Sequence, residues 1–293
     1  MPTTTAPVLP TTRSRLNEDQ RRSFTEDGYL VLRGLLEPSR IAAVRQVFGA
    51  VDLRLLALLC AEGLVSEHYA NLPFEERFAL AGAHAARFGR GWRKEVASPA
   101  VFQLHHDPGL LGVMQELLGS PGVAGHAVYN ARPKLPQQQL TVVPWHQDSG
   151  YFGPESAQQQ ILTAWVPLVR VTPEDGGMQV ARGSHRHGLE PHREERSEGR
   201  FLEIASGEPP PETIVDIPLE LGDVLIFGNL LWHRSLPNRG RQVRWSIDLR
   251  FYSEQLEGLA GGDEYPQRWI LTSAQQPATP YAQWYDWTQG GRW

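Results

Sequence analysis

LIFGNLLWHRSLPNRGRQVRWSIDLRFY, residues 225–252, reads as two strands around a turn. β-Branched and aromatic residues fill both arms, and Pro237-Asn238-Arg239-Gly240 supplies the turn chemistry between them. Side chains two apart in a strand share a face. In the first arm this puts His233 with Ser235. In the second it separates an apolar face (Val243, Trp245, Ile247, Leu249, Phe251) from a polar one (Arg244, Ser246, Asp248, Arg250, Tyr252). A strand with two such faces lies between a hydrophobic layer and something wet, such as a lined cavity.

A second apolar run ends in VPWHQDSGYF, residues 143–152. If the strand persists to Asp148, His146 and Asp148 project together. Alone, His-x-Asp is weak, and the bland reading is a satisfied polar turn. Joined by His233 it becomes two imidazoles and a carboxylate. That set suits a divalent first-row metal and leaves three positions open. Arg244, eleven residues beyond His233, is a bidentate carboxylate partner able to hold the far end of a 2-oxo diacid. Its bland reading is a strand-surface ion pair, and Arg250 on the same face is its rival.

Outward from these stretches the chain divides. Asn17 to Gln20 has the form of a capping box, predicting a helix to Asp27 that stops at Gly28, then a strand over 29–36. Residues 38–49, 53–64 and 74–87 read as helical, and a further helix starts at Asp107-Pro108 and stops at Gly119. Beyond residue 122 short β-rich runs alternate with Gly, Pro and Asn, as in an antiparallel sandwich or barrel. Residues 188–212 are polar and Pro-rich, a connection long enough to be a functional flap. The Trp-rich segment from 262 is expected to dock on the core.

The bulk composition narrows the classes. The chain has 293 residues, 41% hydrophobic and 21% charged, which is globular and does not force two domains. A net charge of −5 argues against nucleic acid as a partner, because phosphate contacts need a basic footprint. No apolar run approaches the ~20 residues of a membrane span. One cysteine, Cys60, excludes an internal disulfide and a Cys-based zinc cage, and the cytoplasm is the expected compartment. Residues 1–16 read as a flexible lead-in without a signal core.

Four segments in order carry a resemblance to the phytanoyl-CoA dioxygenase family of Fe(II)/2-oxoglutarate oxygenases. They are FTEDGYLVLRGLLEPSRI (24–41), WHQDSGYF (145–152), GGMQVARGSHRHG (176–188) and HRSLPNRGRQVR (233–244). The resemblance covers about residues 18–252. It implies a mainly β fold with N-terminal helices: a double-stranded β-helix, the cupin-like jelly-roll, over 122–252. Residues 17–121 form the helical part and 253–293 the tail of one catalytic domain, 17–293. It further implies Fe(II) on His146, Asp148 and His233, O2, and 2-oxoglutarate on Arg244, with Ser235, Asn130 and Lys134 as further contacts. In related halogenases a small residue replaces the carboxylate; Asp148 is present here, implying oxygen and not halide transfer. The reaction implied is hydroxylation of a small molecule of secondary metabolism, with release of succinate and CO2. Desaturation, epoxidation and oxidative cyclisation are alternatives on the same site, and a non-catalytic jelly-roll binding protein is a third reading. A monomer or homodimer is expected.

Tyr151, Trp165, Trp145 and Trp232 flank the expected ligands and are candidate pocket walls. Arg182 is a candidate substrate contact. Arg132, Lys134 and Arg182 give the pocket a cationic edge, suiting an apolar molecule with a polar or anionic handle. Tyr129 lies on the strand before the motif. His105, His106, His185 and His187 read as structural, the last two with a pocket-lining alternative.

Overall fold

The structure is a computed structural model that describes residues 15–89, 91–126, 129–194, 201–256 and 268–290. Most of the expected lead-in (1–14), part of the flap (195–200) and parts of the tail (257–267 and 291–293) lie outside the described residues. Leu16, assigned to the lead-in, is 2% exposed and belongs to the core.

The described strands, in chain order, are β1 (Tyr29–Leu32), β2 (Val123–His126), β3 (Asn130–Lys134), β4 (Val143–His146), β5 (Ile161–Pro167), β6 (Met178–Ala181), β7 (His192–Glu194), β8 (Leu202–Ile204), β9 (Ile214–Ile217), β10 (Val224–Gly228), β11 (His233–Ser235), β12 (Arg244–Ser253) and β13 (Arg268–Thr272). All named pairings are antiparallel. The larger sheet runs β1-β10-β5-β12-β2-β13, and β3 shares the β2 side of β12. At ten residues, β12 is long enough to pair β5 on one side and both β3 and β2 on the other. The smaller sheet runs β4-β11-β6-β9, and β7 and β8 form a separate pair within the flap. The protein is thus mostly antiparallel β with helices.

Residues 225–252 are not a simple hairpin. The first arm breaks into β10, in the larger sheet, and β11, in the smaller. Both edges of β11 are taken by β4 and β6, so β12 pairs elsewhere and the turn carries the chain from one sheet to the other. Asn238 holds this crossing. Its amide donates to the carbonyls of Lys134 (2.9 Å) and Gln242 (2.8 Å), and its oxygen accepts from the Gly240 N–H (3.0 Å).

The first helix, Glu18–Asp27, has the expected capping box and ends at Gly28 in the left-handed region, φ 84°. A Cβ there would strike the His185 ring, which is how the GSHRHG turn seats on the helix end. The strand after it stops at Leu32, earlier than expected. The helices expected at 38–49 and 53–64 are one helix, Pro38–Ala61. Val51, Leu55, Leu56 and Leu59 continue its buried face, and Asp52 stays inside because Arg77 Nε pairs with it at 2.8 Å. The 74–87 helix is a short α-turn, Phe74–Arg77, and a 3-10 stretch, Phe78–Phe88, interrupted at Gly82. Pro99–His105, capped by Ser98, is a helix the sequence reading did not separate. Pro108–Leu118 starts at the Asp107 cap and stops at Gly119 as expected. In the tail, β13 extends the larger sheet and the helix Tyr281–Gly290 buries Trp284.

The apolar face of β12 receives the helical layer. The Trp245 ring stacks on Phe74 at 5.0 Å and meets Trp92, Phe78 and Phe48 at 5.1, 5.8 and 5.9 Å. Aromatic burial of this kind dominates core energetics. No helix of the described residues is long and apolar enough to cross a membrane.

The Asp52–Arg77 pair joins the long helix to this layer, so Arg77→Ala leaves a carboxylate buried without its partner. A loss of about 3 kcal/mol is expected, measured by urea unfolding. A change under about 1 kcal/mol would show that the pair does not hold the layer.

Candidate functional site

The polar face of β12 and the inner face of the smaller sheet line a cavity of about 570 Å³, within the size range of small-molecule sites. Cross-strand register orders its wall. Arg244 faces Lys134, Ser246 faces Arg132 and Asp248 faces Asn130 across β12 and β3; Arg250 faces Thr163 across β12 and β5.

His146 and His233 are direct cross-strand partners, their rings 4.1 Å apart. Asp148 does not reach them by strand alternation. The strand stops at His146, and Asp148 turns into the helical region (φ −57°, ψ −34°) to open the short helix Ser149–Phe152. One donor atom from each of the three lies within 4.8 Å of the others. Each imidazole donates its Nδ1–H to a carbonyl two residues back, Pro144 or Leu231, both at 2.9 Å. That fixes the tautomer and leaves Nε2 as the electron-pair donor.

Burial lowers the pKa of both histidines, so the rings are neutral. Burial pushes the Asp148 carboxyl the other way. The Arg250 charge, aided by the Arg250 hydrogen bonds, outweighs it and holds Asp148 well below the usual carboxylate range. Arg250 donates Nη2–H to Oδ1 (3.0 Å) and Nε–H to Oδ2 (3.2 Å), and the Thr163 hydroxyl donates to Oδ2 (2.7 Å). The His233 Nε2 lies 3.9 Å from Asp148 Oδ1, too far for a hydrogen bond. Two neutral nitrogens and an ionised oxygen therefore converge without satisfying each other, and this donor set fits a divalent metal such as Fe(II).

Beside the triad is a cationic end. Lys134 Nζ donates to Ser235 Oγ (2.7 Å) and to the Leu236 carbonyl (2.6 Å). Arg244 donates to Ser246 Oγ and lies over the Trp165 ring at 5.3 Å. Its buried Nε finds no acceptor. Burial, with the Arg132 charge, lowers the Arg244 pKa to about 9. Burial, with Arg244 and Arg132, takes Lys134 well below its ordinary value. Two buried basic side chains with no carboxylate in ion-pair contact form a receptor for an anion.

The remaining expected residues divide. Tyr151 and Trp165 line the cavity, as do Asn130, Ser235 and Tyr129. The Asn130 amide is engaged by Asp248 (2.8 Å). Arg250, the rival of Arg244, is committed to Asp148 and Asp248. Trp145, Trp232 and Arg182 do not line the cavity. Trp145 and Trp232 precede inward-facing ligands by one residue, so the pleat turns them to the opposite face, where they pack with Ala181 and Ile204. Arg182 is exposed, its charge felt by Tyr29 beside Asp27. His185 Nε2–H donates to the Thr25 carbonyl (3.1 Å), and His105 and His106 bond the carbonyls one turn back in their helix.

The sequence reading missed Thr163, a polar residue inside an apolar strand, which was its only signal. It also missed Gln147. Held between His146 and Asp148, Gln147 donates to the carbonyls of Gly188 (2.8 Å) and Leu230 (2.7 Å) and accepts from the Glu190 N–H (2.8 Å). It ties the start of the flap to the triad.

A family model described as phytanoyl-CoA dioxygenase (PhyH) matches residues 24–246. A 1-deoxypentalenic acid 11-beta-hydroxylase of Streptomyces arenae is 29% identical over 242 residues, covering 78% of each chain. The peroxisomal phytanoyl-CoA dioxygenase of Homo sapiens is 23% identical over 244 residues, 81% of this chain and 69% of that one. Among solved structures, the non-heme monooxygenase ThoJ superposes with a TM-score of 0.62 at 24% identity, over 88% of this chain and 85% of its own. That likeness shows the fold.

Thr163 and Arg250 share the task of holding Asp148. Thr163→Val should weaken divalent-metal affinity about 10- to 100-fold, measured by calorimetry with Mn(II). An unchanged affinity would show that Arg250 orients the carboxylate alone.

Proposed function

The chain belongs to the phytanoyl-CoA dioxygenase family of iron- and 2-oxoglutarate-dependent oxygenases, and from that premise we propose that it hydroxylates a small molecule of secondary metabolism. One observation carries the reading: a His-Asp-His triad and the buried, carboxylate-unpaired side chains of Lys134 and Arg244 open into the same cavity. The Streptomyces relative, named as a hydroxylase, supports it. The two antiparallel sheets, with Asn238 at the crossing between them, support a double-stranded β-helix, the jelly-roll expected from the sequence.

In this reading His146, Asp148 and His233 hold Fe(II). Lys134, Ser235 and Arg244 hold the distal carboxylate of 2-oxoglutarate, and Asn130 orients Asp248 on the same wall. Bound iron and 2-oxoglutarate supply the oxidation: one atom of O2 enters the substrate and the other the succinate formed with CO2. The chain's own residues prepare it. The carbonyls of Pro144 and Leu231 keep both imidazoles in the ligating tautomer. Arg250 and Thr163 keep Asp148 ionised and oriented. Trp165, Phe152 and Phe227 exclude water from the wall beside the triad. An acid at 148 fills the position a halide would need, so oxygen is the group transferred.

Three variants test this. His146→Ala or Asp148→Ala should abolish succinate formation from 2-oxoglutarate and weaken iron binding; full turnover by either would remove that residue from the metal. Arg244→Ala should raise the 2-oxoglutarate dissociation constant about 30-fold or more, measured by calorimetry on Ni(II)-loaded protein. An unchanged constant would place the cosubstrate elsewhere. Product mass with labelled O2 separates hydroxylation, one labelled oxygen gained, from desaturation or cyclisation, with none.

A further inference from the structure

Three cationic side chains face the inner end of the cavity, and 2-oxoglutarate accounts for two of them. Strand β3 alternates, so Asn130, Arg132 and Lys134 share the cavity face. Arg132 sits opposite Ser246, between the Lys134–Arg244 and Asn130–Asp248 pairs. The nearby carboxylates are already held: Asp248 by Asn130 and Arg250, Asp148 by Arg250 and Thr163. Among the described residues no carboxylate lies within ion-pair distance of Arg132. It is half-buried, lines the cavity, and its charge reaches His146 as well as Lys134 and Arg244. It therefore faces the space between the triad and the cosubstrate cations.

The charge balance of the cavity agrees. Away from its exposed rim, where Arg93, Lys94 and Glu95 lie, four basic side chains (Arg132, Lys134, Arg244 and Arg250) and two carboxylates (Asp148 and Asp248) line it. Iron as a dication and 2-oxoglutarate as a dianion cancel and leave the excess in place. Excess positive charge on buried walls favours an anionic guest. Elsewhere the wall is aromatic: Phe152, Phe201, Trp165, and Tyr151 edge-on to His146 at 5.6 Å.

We propose that Arg132 anchors the substrate through a carboxylate carried on an otherwise apolar body, which the aromatic wall receives and holds beside the triad. This rests on the oxygenase reading and names the substrate class for that same site. A guanidinium and a carboxylate pair through two parallel hydrogen bonds, which fixes orientation as well as position. The anchor thus decides which carbon lies nearest the metal position. A second use of the same chemistry, the inner carboxylate of 2-oxoglutarate, is separated by the test.

The test is calorimetry on Ni(II)-loaded protein saturated with 2-oxoglutarate, using two acid and amide pairs: adamantane-1-carboxylate with its carboxamide, and dodecanoate with dodecanamide. Wild type should bind at least one acid about tenfold or more tighter than its amide. Arg132→Gln should abolish that preference and Arg132→Lys keep part of it, while the 2-oxoglutarate constant moves less than about threefold. The proposal is overturned if wild type prefers neither acid, including if it binds none of the four probes. It is also overturned if the preference survives Arg132→Gln. A loss of 2-oxoglutarate in Arg132→Gln as large as in Arg244→Ala would assign Arg132 to the cosubstrate and overturn it likewise. Wild type that bound neither Ni(II) nor 2-oxoglutarate would defeat the oxygenase reading itself, and this inference with it.

Discussion

The ion pair between Arg250 and Asp148 lets a carboxylate stay ionised inside a β core. Asp148 is 2% exposed, and an isolated carboxylate so buried would take up a proton and cease to be a good metal donor. Arg250 meets both of its oxygens and Thr163 adds a third bond. Arg250 also bonds Asp248, which accepts from Asn130. A continuous polar chain thus runs from the triad across β12 to β3. The two histidines need the opposite condition, neutrality, and burial supplies it directly. One buried site therefore sets three side chains in the forms a metal would need by two different means.

β12 divides the molecule. Its apolar face carries Trp245 into the aromatic contacts of the helical layer, and its polar face carries Arg244, Ser246, Asp248 and Arg250 into the cavity. Because β12 pairs with β5, β3 and β2, the helices that stabilise its outer face also hold the inner face rigid. The smaller sheet then has only to present two histidines on adjacent strands. Gln147 and Asn238 do the joining, the first tying the flap to the triad and the second the two sheets to each other.

Much of this was legible in residue pattern. Alternation along β12 separated its two faces before any contact was known. The capping box at Asn17 and the Asp107 cap set helix starts, because their hydrogen bonds are local. Local reasoning failed where the deciding contact was distant. The break expected near residue 50 is absent because Arg77, 25 residues on, satisfies Asp52. Trp145 and Trp232 looked like pocket walls because they adjoin ligands in sequence, yet adjacency in a strand places neighbours on opposite faces. Asp148 shares a site with His146 because the strand stops between them.

By itself the sequence determined the residue types able to ligate a metal, the two-faced character of β12 and the turn chemistry at Asn238, since each depends on neighbours a few residues away. Only the tertiary structure decided which of two arginines on one face meets Asp148. Arg244 and Arg250 have the same alternation phase. What separates them is the strand alongside: Lys134 opposite Arg244, and Thr163 opposite Arg250. The Asp148 that Arg250 meets lies 102 residues earlier in the chain. Register between distant strands is set by the packing of whole sheets, and no local pattern encodes it.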